Sequence, residues 1–219
     1  MITYQDLLKD EEVRTYIAHA DESLLALGYT EHSFAHVVRV AERAGDILSA
    51  LGYDSHTVEL AKIAGYLHDI GNLVNRVDHS QSGALIAFRL LEHKGMAPAD
   101  IATVVSAIGN HDEGTGVPVN ELSAALILAD KSDVRRTRVR NEDFSAFDIH
   151  DRVNYSVTDS KLTVNEAHDE IHLILQVDTA ISSVMDYFEI FLSRMLLCRK
   201  AAEALGLKFK LFINGQTLL

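Results

Sequence analysis

Apolar residues recur at three- and four-residue spacings through most of the chain as far as residue 136, the mark of helices that bury one stripe. The pattern predicts helices over roughly 4–27, 33–51, 55–69, 80–94, 98–110 and 121–136. In the second of these, His36 heads a stripe of Val40, Ala44, Ile47 and Leu51. In the last, Leu122, Ala125 and Leu126 lead at helical spacing to Asp130, so both polar residues are expected to point inward. Gly28 and Gly52 stand where helices should stop, Ser55 can cap the next one, and Pro98 suits a first helical position, where its missing N–H is no loss. His79 is expected just before a helix and His111 just after one.

Beyond residue 140 the period changes. Val153, Tyr155 and Val157 alternate with polar residues, as do Ile171, Leu173, Leu175 and Val177, while TDSK and NEAHDE read as turns around a short strand holding Leu162 and Val164. This predicts an antiparallel meander. A long amphipathic helix should follow, with Ile181, Val184, Met185, Phe188, Leu192 and Met195 on one side, and KFKLFI reads as a last strand. The expected fold is mainly α: a helical bundle over residues 1–140, then a small α+β extension over 141–219. So small a sheet has too little interior to fold alone. It is expected to pack on the helical core or in a homodimer, with substrate selection, dimerisation or simple structural support as its candidate roles.

The run KIAGYLHDIG ends on His68 and Asp69, and His36, His79, His111 and Asp130 lie at intervals that helices can bring together. Any one of these histidines, taken alone, is better read as a hydrogen-bonded core residue. The set reads differently. Neutral imidazoles and ionised carboxylates suit a borderline divalent cation, and one carboxylate has two oxygens with which to bridge a pair. A buried Asp130 needs a partner. Lys131 should project about 100° away around the helix, which makes a metal the better expectation.

The ordered set H, HD, H, H, D resembles the HD-domain metal-dependent phosphohydrolase superfamily. The matching segments are HSFAHVVRVAERAG, LHDIGN, DHSQSGALIAFRLL, IGNHDEGTG and LILADKSD, spread over about residues 32–135. The resemblance implies that His36, His68, Asp69 and Asp130 hold a first metal, that His79 and His111 add a second, and that Asp69 bridges them. Catalysis would centre on His68 and Asp69. The implied cofactors are two divalent transition-metal ions, drawn from manganese, iron, cobalt, nickel or zinc. Two cations about 4 Å apart can share a hydroxide and neutralise a phosphoryl group during in-line displacement. The implied reaction is hydrolysis of a phosphomonoester or phosphodiester of a nucleotide-like substrate. The HD-GYP branch is a distant likeness only, since Asn110 replaces the first His of its HHE and GTGVP replaces the segment ending in GYP. Asn72 stands where many relatives carry a lysine after HDIG. A diiron oxygenase of the same ligand order, or a noncatalytic nucleotide sensor, are the alternatives.

Charge narrows the partners. Net charge is −12 over 219 residues, which disfavours binding to nucleic acid while leaving a small phosphorylated substrate open, because metals invert the local field. RRTRVR, from Arg135 to Arg140, is the exception. Arg135 and Arg136 could clamp a phosphate, or the run could be a solvated helix end. Lys131 and His32 are further candidate substrate contacts. The single cysteine, Cys198, lies in an apolar helical run and reads as packing. No apolar stretch is long enough to span a bilayer and the start has charge where a signal peptide needs apolar residues, so the expected location is the cytoplasm.

Overall fold

The computed structural model describes residues 2–219. Its helical part runs through α1 (Tyr4–Lys9), α2 (Glu11–Ala26), α3 (Phe34–Ala50), α4 (Ser55–Leu67), α5 (His79–His93), α6 (Pro98–Gly109) and α7 (Glu121–Lys131). The single helix expected over 4–27 is two. Asp10 is extended and caps α2 by accepting from the Val13 N–H, a local bond that competes with continued helix. The helix expected to reach 136 stops at Lys131: Ser132 turns its hydroxyl back to the Ala129 carbonyl, and the chain then leaves helical geometry.

Helix α7 is the axis of the core. Every residue from Leu122 to Ala129 is fully buried, as a helix apolar on all sides must be. α3 and α4 pack closely beside it. A Cβ on Gly65 would lie 2.6 Å from Ala41 Cα, so only glycine lets these two backbones meet.

The extension keeps the predicted α+β character but not the meander. Residues expected to open it form α8 (Ile149–Ser156), capped by Asp148. The strands are β1 (Val157–Val164), β2 (Glu170–Val177), β3 (Lys208–Ile213) and β4 (Gln216–Thr217), in that order across the sheet. β1 and β2 form an antiparallel hairpin, but β3 runs parallel to β2, with Leu173 opposite Leu211. A parallel neighbour needs a crossover, and α9 (Val184–Ala204) supplies it. The buried face of α9 is Tyr187, Phe191, Met195, Cys198 and Ala202, whereas Met185 and Leu192, expected inside, are exposed. Apolar residues on both sides of this helix left its inward face ambiguous, and the two aromatics take it. α9 packs against α7 and the sheet, and Ser160 on β1 donates to the Ser132 carbonyl. Among the described residues no helix is long and apolar enough to cross a membrane.

Candidate metal centre

The six polar residues singled out in the sequence all lie at or near helix ends. His36 sits in the first turn of α3, behind the Ser33 cap, and His68 caps the C-terminus of α4, with Asp69 next to it. His79 opens α5 after Asp78, which takes the left-handed conformation at φ 56°. His111 lies two residues beyond α6, after the Asn110 cap, and Asp130 lies in the last turn of α7. Close approach holds these ends together: a Cβ on Gly71 would lie 1.9 Å from the His79 carbonyl oxygen.

The side chains meet around Asp69. Its Oδ2 lies 3.3 Å from His68 Nε2 and 3.5 Å from His36 Nε2. Its Oδ1 lies 3.4 Å from His79 Nε2. Asp130 Oδ1 completes the first group at 3.3 Å from His36 Nε2 and 3.7 Å from His68 Nε2. His111 stands between the groups, its ring centroid 5.0 Å from that of His68 and 5.1 Å from that of His79. One donor atom each from His36, His68 and Asp130 lie within 4.8 Å of one another, and so do those of His68, Asp69 and His111.

Tautomers follow from the outer nitrogens. His36 Nδ1 is 2.8 Å from Asp133 Oδ2, and the Nδ1 atoms of His68, His79 and His111 lie 2.8, 3.0 and 2.6 Å from the carbonyls of Gly65, Arg76 and Ile108. Carboxylates and carbonyls only accept, so each Nδ1 donates, and each neutral ring turns an Nε2 lone pair inward. His36 Nε2 and His68 Nε2 are buried without a hydrogen-bond partner. His79 Nε2 and His111 Nε2 face each other at 3.2 Å, with Arg76 Nη1 donating to His79 Nε2 at 3.3 Å. Converging lone pairs repel, and a divalent cation answers them. The residues fit a metal.

Electrostatics keep both carboxylates and His111 in binding form. Burial works against the charged carboxyls, yet His68 beside Asp69, and Lys131 beside Asp130, hold both well below the usual carboxylate range. Burial, reinforced by His68 and Lys131, pushes the His111 imidazole well below its ordinary value. Asp69 and Asp130 push His68 up to about 10 against the effect of burial, so proton and cation compete for that nitrogen.

A second layer orients the first. Asn72 Nδ2 donates to Asp69 Oδ1 at 3.1 Å and to its carbonyl at 2.9 Å, which gives Asn72 a role in holding the carboxylate. Lys131 corrects an expectation. Its Nζ reaches Asp130 Oδ2 at 2.7 Å and Glu113 Oε2 at 2.6 Å, because its long stem folds back over the end of α7. Asp130 thus has a lysine at one oxygen and the histidines at the other. Lys131 is buried between two carboxylates, where its ammonium fixes the Asp130 side chain. Glu113 also accepts from Arg194 Nε on α9 at 2.8 Å, linking the extension to the centre.

Beside the cluster lies a cavity of about 380 Å³ whose walls include His32, Arg76, Arg138 and Arg194. The His32 and His36 ring centroids are 5.5 Å apart, and Arg76 Nη1 is 4.0 Å from Asp69 Oδ1. Arg135 and Arg136 do not line this cavity. They border a separate groove of about 190 Å³, where Arg135 pairs with Glu31 and Asp133 and Arg136 donates to the Tyr155 carbonyl. The break in α7 turns them aside. Sequence reading passed over Arg76, Glu113 and Arg194. Arg76 had one signal, its place three residues before His79; Arg194, 64 positions beyond Asp130 in the sequence, had none.

Helix ends that gather four imidazoles and a second carboxylate around one buried aspartate define a centre fitted to divalent metal. The chain belongs to the HD domain family, whose sequence model matches residues 33–142, and HD domains bind divalent metals. An uncharacterized protein of Methanocaldococcus jannaschii is 25% identical over 211 residues, covering 85% of this chain and 79% of that one. Ribonuclease Y of Aliarcobacter butzleri is 32% identical over 143 residues, covering 64% of this chain and 26% of its own. For ribonuclease Y of Wolinella succinogenes the figures are 30% over 158 residues, 68% and 28%. This chain thus spans about a quarter of the length of these ribonuclease Y proteins. Among solved structures, a protein described as a predicted HD superfamily hydrolase from an uncultured Thermotogales bacterium is 27% identical, covering 61% of this chain and 75% of that one, with a TM-score of 0.44.

Proposed function

We propose that this chain is a metal-dependent phosphohydrolase acting on a phosphomonoester or phosphodiester of a nucleotide-like substrate. One observation carries the reading: the two oxygens of Asp69 face different histidines, Oδ2 toward His36 and His68 and Oδ1 toward His79. His36, His68, Asp69 and Asp130 would hold one divalent ion, and Asp69, His79 and His111 a second. Bound there, the ions supply a water of lowered proton affinity and neutralise the phosphoryl oxygens. The protein's own groups do the positioning. Asn72 fixes the Asp69 carboxylate, and the carbonyl and carboxylate partners of the four Nδ1 atoms fix the rings. His32 donates through Nδ1 to the Thr30 carbonyl, leaving Nε2 to accept a hydrogen bond from water or substrate at the edge of the cavity. Arg76 and Arg194 offer guanidinium N–H groups to an anionic ester beside Asp69.

The test is product release from a panel of phosphate esters by metal-loaded protein. The panel holds nucleoside monophosphates, a cyclic dinucleotide and, because relatives bear the name ribonuclease, a short RNA. Metal-dependent hydrolysis, equal with and without air and abolished in Asp69→Ala, is expected. Product formed only in air would mean an oxygenase, and binding without turnover a sensor.

A further inference from the structure

Helix α9 carries a stripe that the core does not use. Met185, Leu192 and Leu196, at 76, 49 and 42% exposure, lie on the side away from Tyr187, Phe191, Met195, Cys198 and Ala202, which face the core. Single exposed leucines are ordinary, but these residues belong to a register. Met185, Glu189, Leu192, Leu196, Arg199 and Glu203 follow one another at spacings of four, three, four, three and four, and all six are exposed. At about 100° per residue they fall within an arc of about 80°, the narrow seam through which one helix pairs with another. At ~1.5 Å per residue the seam is about 27 Å long.

The order of residues along the seam selects the occupant. When α9 is laid antiparallel against a second copy, about a two-fold axis level with Arg194, Leu192 meets the partner's Leu196, Glu189 meets the partner's Arg199, and Met185 meets the partner's Glu203. Symmetry makes each contact twice. Lys200, beside the seam, offers the partner's Glu189 a second cation. A parallel pair in register would instead set Glu189 against the partner's Glu189 and Arg199 against the partner's Arg199, like charges face to face. Sliding the antiparallel pair by one heptad sets Leu196 against the partner's Arg199 in one direction and Leu192 against the partner's Glu189 in the other. Within one chain Arg199 reaches Glu203 only at 4.0 Å, a weak contact that leaves its guanidinium free for a better one.

We propose that α9 pairs with α9 of a second copy in an antiparallel, two-fold interface, with Leu192 and Leu196 at its centre and Glu189 opposite the partner's Arg199. A charge pattern that complements itself under a two-fold axis is what an isologous interface requires. The apolar residues that the sequence places on both sides of this helix are thereby accounted for, one side packing on the core and the other on a second subunit. Arg194 points to the far side of α9 from the seam, where it donates to Glu113, so the pairing leaves its link to the metal centre in place. The inference does not depend on which reaction that centre carries out.

The experiment is sedimentation equilibrium of the full chain, with circular dichroism to establish that each variant keeps its helices. The 24.2 kDa chain should sediment at twice its mass. Leu196→Glu, at an exposed position, should keep the fold and weaken the dimer by about 100-fold or more, since it brings a carboxylate against the partner's Leu192 twice. Glu189→Arg should weaken it by about 10-fold or more, because two ion pairs become two repulsions. Arg199→Glu should do the same, and the double variant Glu189→Arg, Arg199→Glu should recover most of the loss. A wild type that stays monomeric at every concentration, or a dimer indifferent to Leu196→Glu, would overturn the proposal. So would a double variant no tighter than the single ones, because the copies would then meet in another orientation.

Discussion

Replacing Asp133 by asparagine isolates the contribution of one outer hydrogen bond to the metal centre. The Asp133 side chain is buried and, of the proposed ligands, touches His36 alone, accepting from its Nδ1 at 2.8 Å. Asparagine keeps the shape and an acceptor oxygen but loses the charge. A bond to a charged acceptor is worth about 1.5–3 kcal/mol against about 1 for a neutral one, so the expected loss is ~1–2 kcal/mol. At 1.4 kcal/mol per tenfold, that is about a 5- to 30-fold weaker site, within reach of the ~10- to 100-fold measured for such partners elsewhere. The loss should fall on the ion held by His36, because the His79 and His111 rings are fixed by backbone carbonyls. Arg135 at 3.1 Å and Arg39 at 3.4 Å also lean on Asp133, so the metal-free variant should be less stable too. Competition against a chelator of known affinity, run well below the variant's unfolding temperature, separates the two effects. Two unchanged dissociation constants, or a loss confined to the other ion, would refute the reasoning.

Three further perturbations test other links. Gly65→Ala places a methyl 2.6 Å from Ala41 Cα, and overpacking against backbone should cost about 3 kcal/mol or more, lowering Tm by about 6–12 °C; an unshifted Tm would mean the helices part freely. Lys131→Met takes the ammonium from Asp130 Oδ2 and leaves Glu113 with Arg194 alone, which should cost ~3 kcal/mol or more in urea unfolding of chelator-treated protein and less once metal is restored. The third concerns acid. Burial opposes it, but Lys94 and the Val13 N–H lower the Asp10 carboxyl below its ordinary value. The folded form therefore holds its proton less tightly than the unfolded form at about 3.9. Its stabilisation is complete above that pH and fades as pH falls through the lower folded value. Stability of Asp10→Asn should accordingly fall less steeply than wild type between about pH 5 and 2.

What the sequence made legible was periodic or local. The helices carrying the six cluster residues bury apolar stripes at regular spacing, so their existence and inward faces could be read from the chain. Their ends were less legible, because the deciding bonds come from single side chains: Asp10 capping α2 and Ser132 closing α7. The consequence reaches the site, since ending α7 at Lys131 carries Arg135 and Arg136 away from the cleft. Alternation in β2 and β3 was plain, but whether two such strands run parallel depends on the crossover between them. Lys131 misled because a helical-wheel angle places a Cα and says little about an ammonium on a four-carbon stem. Arg194 was invisible, as its partner Glu113 lies 81 residues away.

The central claim is that Asp69 bridges two metal ions, and elemental mass spectrometry of protein purified without chelators and then reconstituted tests it most directly. The account predicts close to two transition-metal ions per chain, close to one in His79→Ala, and a loss of both in Asp69→Ala. One ion per chain in wild type and in His79→Ala alike, or none after reconstitution, would contradict it.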